Sequence, residues 1–77
     1  MNIEAFSAEF ADAIEVDPQL VNGDTVFKDL EIWDSLAVLV VIAMSDAKFG
    51  ATINGDDIKN ASTVTDLYSV VQSRQKK

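Results

Sequence analysis

Nine consecutive apolar residues, Leu36 to Met44, lie between Asp34-Ser35 on one side and Gly50 on the other, and this stretch restricts the possible folds most. Nine residues fall far short of the roughly twenty that a bilayer-spanning helix needs. Asp and Ser side chains accept hydrogen bonds from the orphan N–H groups of a first helical turn, and glycine supplies the left-handed residue that ends a helix. The stretch therefore predicts one helix from Ser35 to Phe49. At about 100° per residue, Val38, Val41, Ile42, Ser45 and Phe49 share one side, which the aromatic ring marks as core. Leu36, Val40, Ala43 and Ala47 take the opposite side, with Met44 and Ala37 beside them. A helix that is apolar all round is either buried on every face or offers surface to something else. In a 77-residue chain the first is hard to arrange, so the sequence predicts an exposed apolar stripe and, from it, a docking face for partner proteins. Self-association through that stripe, or a cover formed by the loop before it, are the other ways to hide it.

Seventy-seven residues predict a single domain, 1–77, near the lower limit for one sufficient core, so a spacious catalytic pocket is not expected. Thirteen acidic residues against six basic ones give a net charge of −7, which argues against nucleic acid as a partner and favours basic proteins. Nine of the acidic residues precede Ser35, accompanied only by Lys28, so the negative field bears on that serine from the N-terminal side. The chain has neither cysteine nor histidine. Disulfides, a thiolate nucleophile, a near-neutral base and imidazole metal ligands are thereby removed, and neither catalytic nor metal-ligating residues are predicted. No stretch matches a calcium-loop pattern. The N-terminus lacks the basic and apolar regions of a signal peptide, so a cytoplasmic location is expected. The sequon Asn60-Ala61-Ser62 then carries no meaning.

A first helix is predicted from Ile3 to Glu15, with Ile3, Phe6, Phe10, Ala13 and Ile14 on one face, Asn2 as cap, and Asp17-Pro18 ending it. Residues 17 to 33 form a long connection. Asn22-Gly23 between Leu20-Val21 and Thr25-Val26-Phe27 is a hairpin signal, but an isolated hairpin is marginal in water. The preferred reading is a packed loop with Val26, Phe27 and Leu30 tucked under the helices. A short third helix is expected near Asp56 to Asn60. The last starts at Thr63, whose hydroxyl and Asp66 form a capping-box-like pair, and buries Val64, Leu67, Tyr68 and Val71. Arg74, Lys76 and Lys77 read as a frayed basic tail that suits the dipole. The expected fold is all-α: a small four-helix bundle with three main helices, a short third one and a long loop between helices one and two.

Phe27-Lys28-Asp29-Leu30, then Trp33, then Asp34-Ser35-Leu36 opening the apolar helix, then the acidic Asp56-Asp57-Ile58 and the capped helix at Thr63, resemble the acyl carrier protein family over nearly the whole chain. A lone Asp-Ser-Leu is weak and reads as an ordinary cap. The surrounding helices make it specific. The resemblance implies that Ser35 carries 4′-phosphopantetheine, taken from coenzyme A by a Mg²⁺-dependent phosphopantetheinyl transferase as the serine oxygen attacks the β-phosphate. It implies a carrier rather than an enzyme, holding acyl groups as thioesters for acyl ligases, synthases or acyltransferases of a fatty acid, lipid or polyketide-type pathway. Asp34 is implied in recognition by the transferase.

Two departures from the family stand out. Housekeeping members are rich in Glu and Asp on the exposed face of the second helix. Here Leu36, Ala37, Val40, Ala43, Met44 and Ala47 make that face apolar, which implies a specialised carrier read by apolar contact and steered by its acidic loop; a monomer is expected. Trp33 stands where many relatives have a small residue, and is either an anchor for the loop or a wall beside the arm. Leu39, Ile42, Ala61 and Tyr68 line either a cargo gap between the second and fourth helices or a dry core. Two rival functions stay open: an aminoacyl or peptidyl carrier, including the D-alanyl type, and an acidic helical adaptor that is never modified.

Overall fold

The computed structural model describes residues 2–75; Met1 and the predicted tail residues Lys76 and Lys77 lie outside the described residues. Four α-helices follow in order: α1 (Ile3–Ala13), α2 (Ser35–Phe49), α3 (Gly55–Asn60) and α4 (Val64–Arg74). Among the described residues the only β feature is an isolated bridge between Ala51 and Gln75.

Capping chemistry explains most helix ends. Asn2 accepts from the Ala5 N–H at 2.8 Å. Asn54 and Asp57 form a reciprocal capping box at the start of α3, and Thr63 with Asp66 forms another on α4. Gly50 ends α2 in the left-handed region at φ 63°, as predicted. The end of α1 differs from expectation. It stops at Ala13, two residues early, because Glu15 adopts φ 59°. The Glu15 N–H then bonds Asp12 O, and the Val16 N–H bonds Ala11 O at 2.9 Å. That is a Schellman arrangement with a glutamate where glycine is usual, so a left-handed residue ends α1 before Pro18 can.

The connection between α1 and α2 contains two short 3-10 turns, Pro18–Leu20 and Phe27–Asp29. At Asn22-Gly23 there is no hairpin. The Asn22 side chain accepts from the Asp24 N–H at 2.8 Å, and its carbonyl accepts from the Thr25 N–H. The loop is held by α4 instead: Val64 N–H donates to Thr25 O and Thr65 N–H to Gly23 O, both at 3.0 Å, and Thr65 Oγ1 donates to Gly23 O at 2.8 Å. Two first-turn donors of α4 that would otherwise be orphans thus fasten the loop to the bundle.

Phe6, Phe10, Phe27, Val41, Val64, Leu67 and Val71 are fully buried. Each buried large apolar side chain contributes about 1.5–3 kcal/mol, and the aromatic ones form a chain through the core. Phe6 meets Phe49 and Tyr68 at centroid distances of 5.4 and 5.6 Å, and Phe10 meets Phe27 at 5.7 Å. Of the loop residues expected under the helices, Phe27 is buried and Leu30 is half-buried, whereas Val26 is 43% exposed. Tyr68, predicted as buried, is half-buried. Between helices, Arg74 grips the Asp57 carboxylate with two hydrogen bonds at 3.0 and 3.1 Å, and Lys48 reaches Glu9 at 3.6 Å.

Candidate functional site

Asp34 and Ser35 divide the work at the entrance of α2. Asp34 has extended backbone angles, and its Oδ1 accepts from the Ala37 N–H at 2.9 Å, so the aspartate is the cap. Ser35 is the first helical residue, and it is exposed. Its hydroxyl makes no hydrogen bond among the described residues. The Ser35 and Leu36 N–H groups lie where a helix has no internal acceptor, an end that carries partial positive charge and favours a phosphate nearby. Trp33 sets the approach to this corner. Its indole stacks on Phe10 at 6.1 Å with 10° between planes and meets Phe27 edge-on at 4.8 Å. The indole is therefore the loop anchor of the two readings.

Two clefts open along the groove between α1 and α2. One of about 250 Å³ lies between the end of α1, the Ile32 turn and the first turns of α2, with Asp34 and Leu36, the neighbours of Ser35, both in its wall. Ala13, Ile14, Ile32, Ala37 and Val40 complete an aliphatic lining, and Glu15 joins Asp34 at its rim. The second, about 270 Å³, continues from the shared Ala13 and Val40 past Ala43 and Met44 to Lys48.

The predicted apolar stripe is displaced. Leu36 is 66% exposed, and Ala43 and Ala47 are exposed as expected, while Val40 is half-buried. Ala37 and Met44 are buried and form cleft walls instead of open surface, because α1 packs against their side of α2 and rotates the buried arc toward itself. Leu39, read as lining either a gap facing α4 or a dry core, does neither and points to solvent at 62% exposure. Of the other three residues read that way, Ile42 is half-buried, Ala61 is buried and Tyr68 packs on Phe6. The loop leaves Leu36 and Leu39 uncovered and adds Ile32, itself 44% exposed, to the surface. Sequence reasoning passed over Ile32, although its place just before the motif was a signal.

Asp66, in the first turn of α4, holds a carboxyl below its ordinary value of 3.8, chiefly because the Thr63 and Ser62 N–H groups donate to it. Among the described residues no three His, Cys, Asp or Glu side chains form a metal site, and no helix is long and apolar enough to cross a membrane.

Residues 4–71 match the family model described as a phosphopantetheine attachment site. The chain is also 33% identical, over 58 residues, to an acyl carrier protein of Renibacterium salmoninarum, covering 75% of this chain and 72% of the relative. The chain therefore belongs to the acyl carrier, phosphopantetheine-binding family. Its domain is an attachment site for 4′-phosphopantetheine, and it is a carrier on which other enzymes act. Such a carrier meets a modifying transferase and acyl-handling enzymes. An exposed primary alcohol at a helix entrance, beside an aliphatic cleft, fits a phosphodiester-linked arm.

Proposed function

We propose that Ser35 is the residue that takes the arm. The observation that carries this reading is the division of labour with Asp34. Because the aspartate caps α2, the serine oxygen is exposed and uncommitted, so a transferase can seat it against coenzyme A without undoing the helix. Ser35 Oγ forms a bond to the β-phosphorus of coenzyme A, the pyrophosphate P–O bond breaks, the adenosine-bearing half leaves, and the serine proton passes to the transferase. The prosthetic group supplies a thiol, which this polypeptide lacks, for thioester linkage of acyl cargo. Tethering then raises the cargo's effective concentration at each partner site.

The chain acts as one carrier domain over residues 1–77, monomeric and cytoplasmic, in a fatty acid, lipid or polyketide-type pathway. Its face of Leu36, Leu39, Ala43 and Ala47, extended by Ile32, supports the reading of a specialised member whose dedicated partners use apolar contact. Asp34 and the acidic loop steer their approach. Intact-mass measurement after incubation with coenzyme A and a broad-specificity transferase tests the attachment. One phosphopantetheine is expected on the wild type and none on Ser35→Ala; an unmodified wild type, or a modified variant, rejects it. Sedimentation at several concentrations tests the monomer.

A further inference from the structure

The cleft beside Ser35 has a lining that selects its occupant. Ile14, Ile32, Leu36 and Val40 present branched aliphatic groups over a floor of Ala13 and Ala37, while the only charged groups in its wall are the carboxylates of Glu15 and Asp34. A phosphate or free carboxylate is repelled from such a space, and a neutral aliphatic group gains by leaving water there. Residues on both sides of Ser35 contribute to the wall while Ser35 itself stays outside it, so a group bonded to that serine starts next to the cleft.

We propose, resting on the Ser35 reading, that this cleft is the resting seat of the first segment of the arm, its branched gem-dimethyl portion. The phosphodiester stays outside at the entrance of α2, where the Ser35 and Leu36 N–H groups face it, and the neutral part turns inward between Ile32 and Val40. An intramolecular ligand needs little intrinsic affinity. Tethering on a short flexible link supplies an effective concentration in the mM range, so a contact too weak to capture a free molecule still holds the arm. The second cleft continues from the shared Ala13 and Val40 toward Ala47, which directs the rest of the arm along the α1 side of α2. The space on the α4 side, about 380 Å³ beside Ala61 and Val70, suits the neutral arm less because Asp57, Asn60, Asp66 and Ser69 ring it, and Leu39 faces solvent. A partner that draws the arm out loses only this shallow contact.

The test uses the 77-residue chain loaded from coenzyme A, confirmed by intact mass, with methyl-labelled Ile, Leu and Val observed by NMR. Cross-relaxation is expected between the arm's geminal methyls and those of Ile14, Ile32 and Val40, with shift changes relative to the unloaded protein concentrated at the same residues and Val71 unmoved. In the fraction of Ile32→Asn that intact mass shows to be loaded, whatever its rate of loading, the cross-peaks to Ile14 and Val40 should vanish while methyls away from the cleft keep their wild-type shifts. Full loading with arm methyls at their free coenzyme A shifts overturns the seat and leaves Ser35 as attachment point. Cross-peaks to Val71 instead of Ile32, or cross-peaks that survive Ile32→Asn, overturn it too. Absence of added mass removes the attachment reading and the seat with it.

Discussion

Trp33 stacks on Phe10 at 6.1 Å and 10°, so the residue just before the Asp34-Ser35 corner is pinned to the middle of α1. Phe27 closes on the indole from the other side at 4.8 Å. A loop that would otherwise move on its own is thereby held against the core where the site is presented.

Trp33→Ala should destabilise the fold by about 2–4 kcal/mol, toward the lower part of the range for aromatic truncations because the indole is only half-buried. Urea denaturation measures the loss. In the folded variant the transferase rate should fall, mainly through KM, since the corner is less well placed. An unchanged rate would show that the anchor serves stability alone.

Gly23 has a different constraint. A Cβ there would stand 2.6 Å from Thr65 Oγ1 and 3.3 Å from Ile3 Cγ1. Gly23→Ala should cost about 1–3 kcal/mol, and much of that cost should disappear in a Thr65→Ala background, where the obstructing hydroxyl is gone. A double-mutant cycle with no coupling would contradict the close approach.

Ser45 is fully buried in α2 and its Oγ has no hydrogen-bond partner among the described residues. Removing an unsatisfied buried hydroxyl and gaining helix propensity should make Ser45→Ala more stable by about 0.5–1.5 kcal/mol. A thermal melt that shifts downward would mean the hydroxyl has a role the packing does not reveal.

Asp66 gives the acid limb its sign. Its folded carboxyl titrates below the ordinary value of 3.8, because backbone N–H groups of Thr63 and Ser62 stabilise the charged form. The unfolded chain therefore binds the proton first. This contribution is fully present above the unfolded value and is lost as pH falls through the lower, folded one. The stability gap between wild type and Asp66→Asn, followed by denaturation, should narrow as pH drops below about 4; a gap constant through that window would refute the capping role.

Leu39 is 62% exposed and lies outside both clefts. Leu39→Glu should leave stability within about 0.5 kcal/mol and lower acyl transfer by dedicated partners about tenfold, near 1.4 kcal/mol. Steady-state assays at varied carrier concentration check this, with a rise in KM as the expected form.

Local chemistry made much of this protein legible in its residues. The caps at Asn2, Asp34 and Thr63, the left-handed Gly50 and the extent of α2 each depend on interactions spanning a few residues, so they could be read in one dimension. Asp34-Ser35-Leu36 with its flanking helices pointed to the carrier family for the same reason. Other features depended on which element packs against which. Glu15 ends α1 in a conformation nothing in its identity requires, and Gly23 is needed for a contact forty-two residues away. The core side of α2 read from Val38, Val41, Ile42, Ser45 and Phe49 is buried or half-buried as expected, but the arc is wider than expected, because an all-apolar helix has no polar face to mark its edge. Where α1 lay alongside, Ala37 and Met44 went inward and Leu39 outward. Helix ends with a side-chain cap or a glycine are determined by neighbours in sequence; how wide an arc a uniformly apolar helix buries is determined only by the surface it meets.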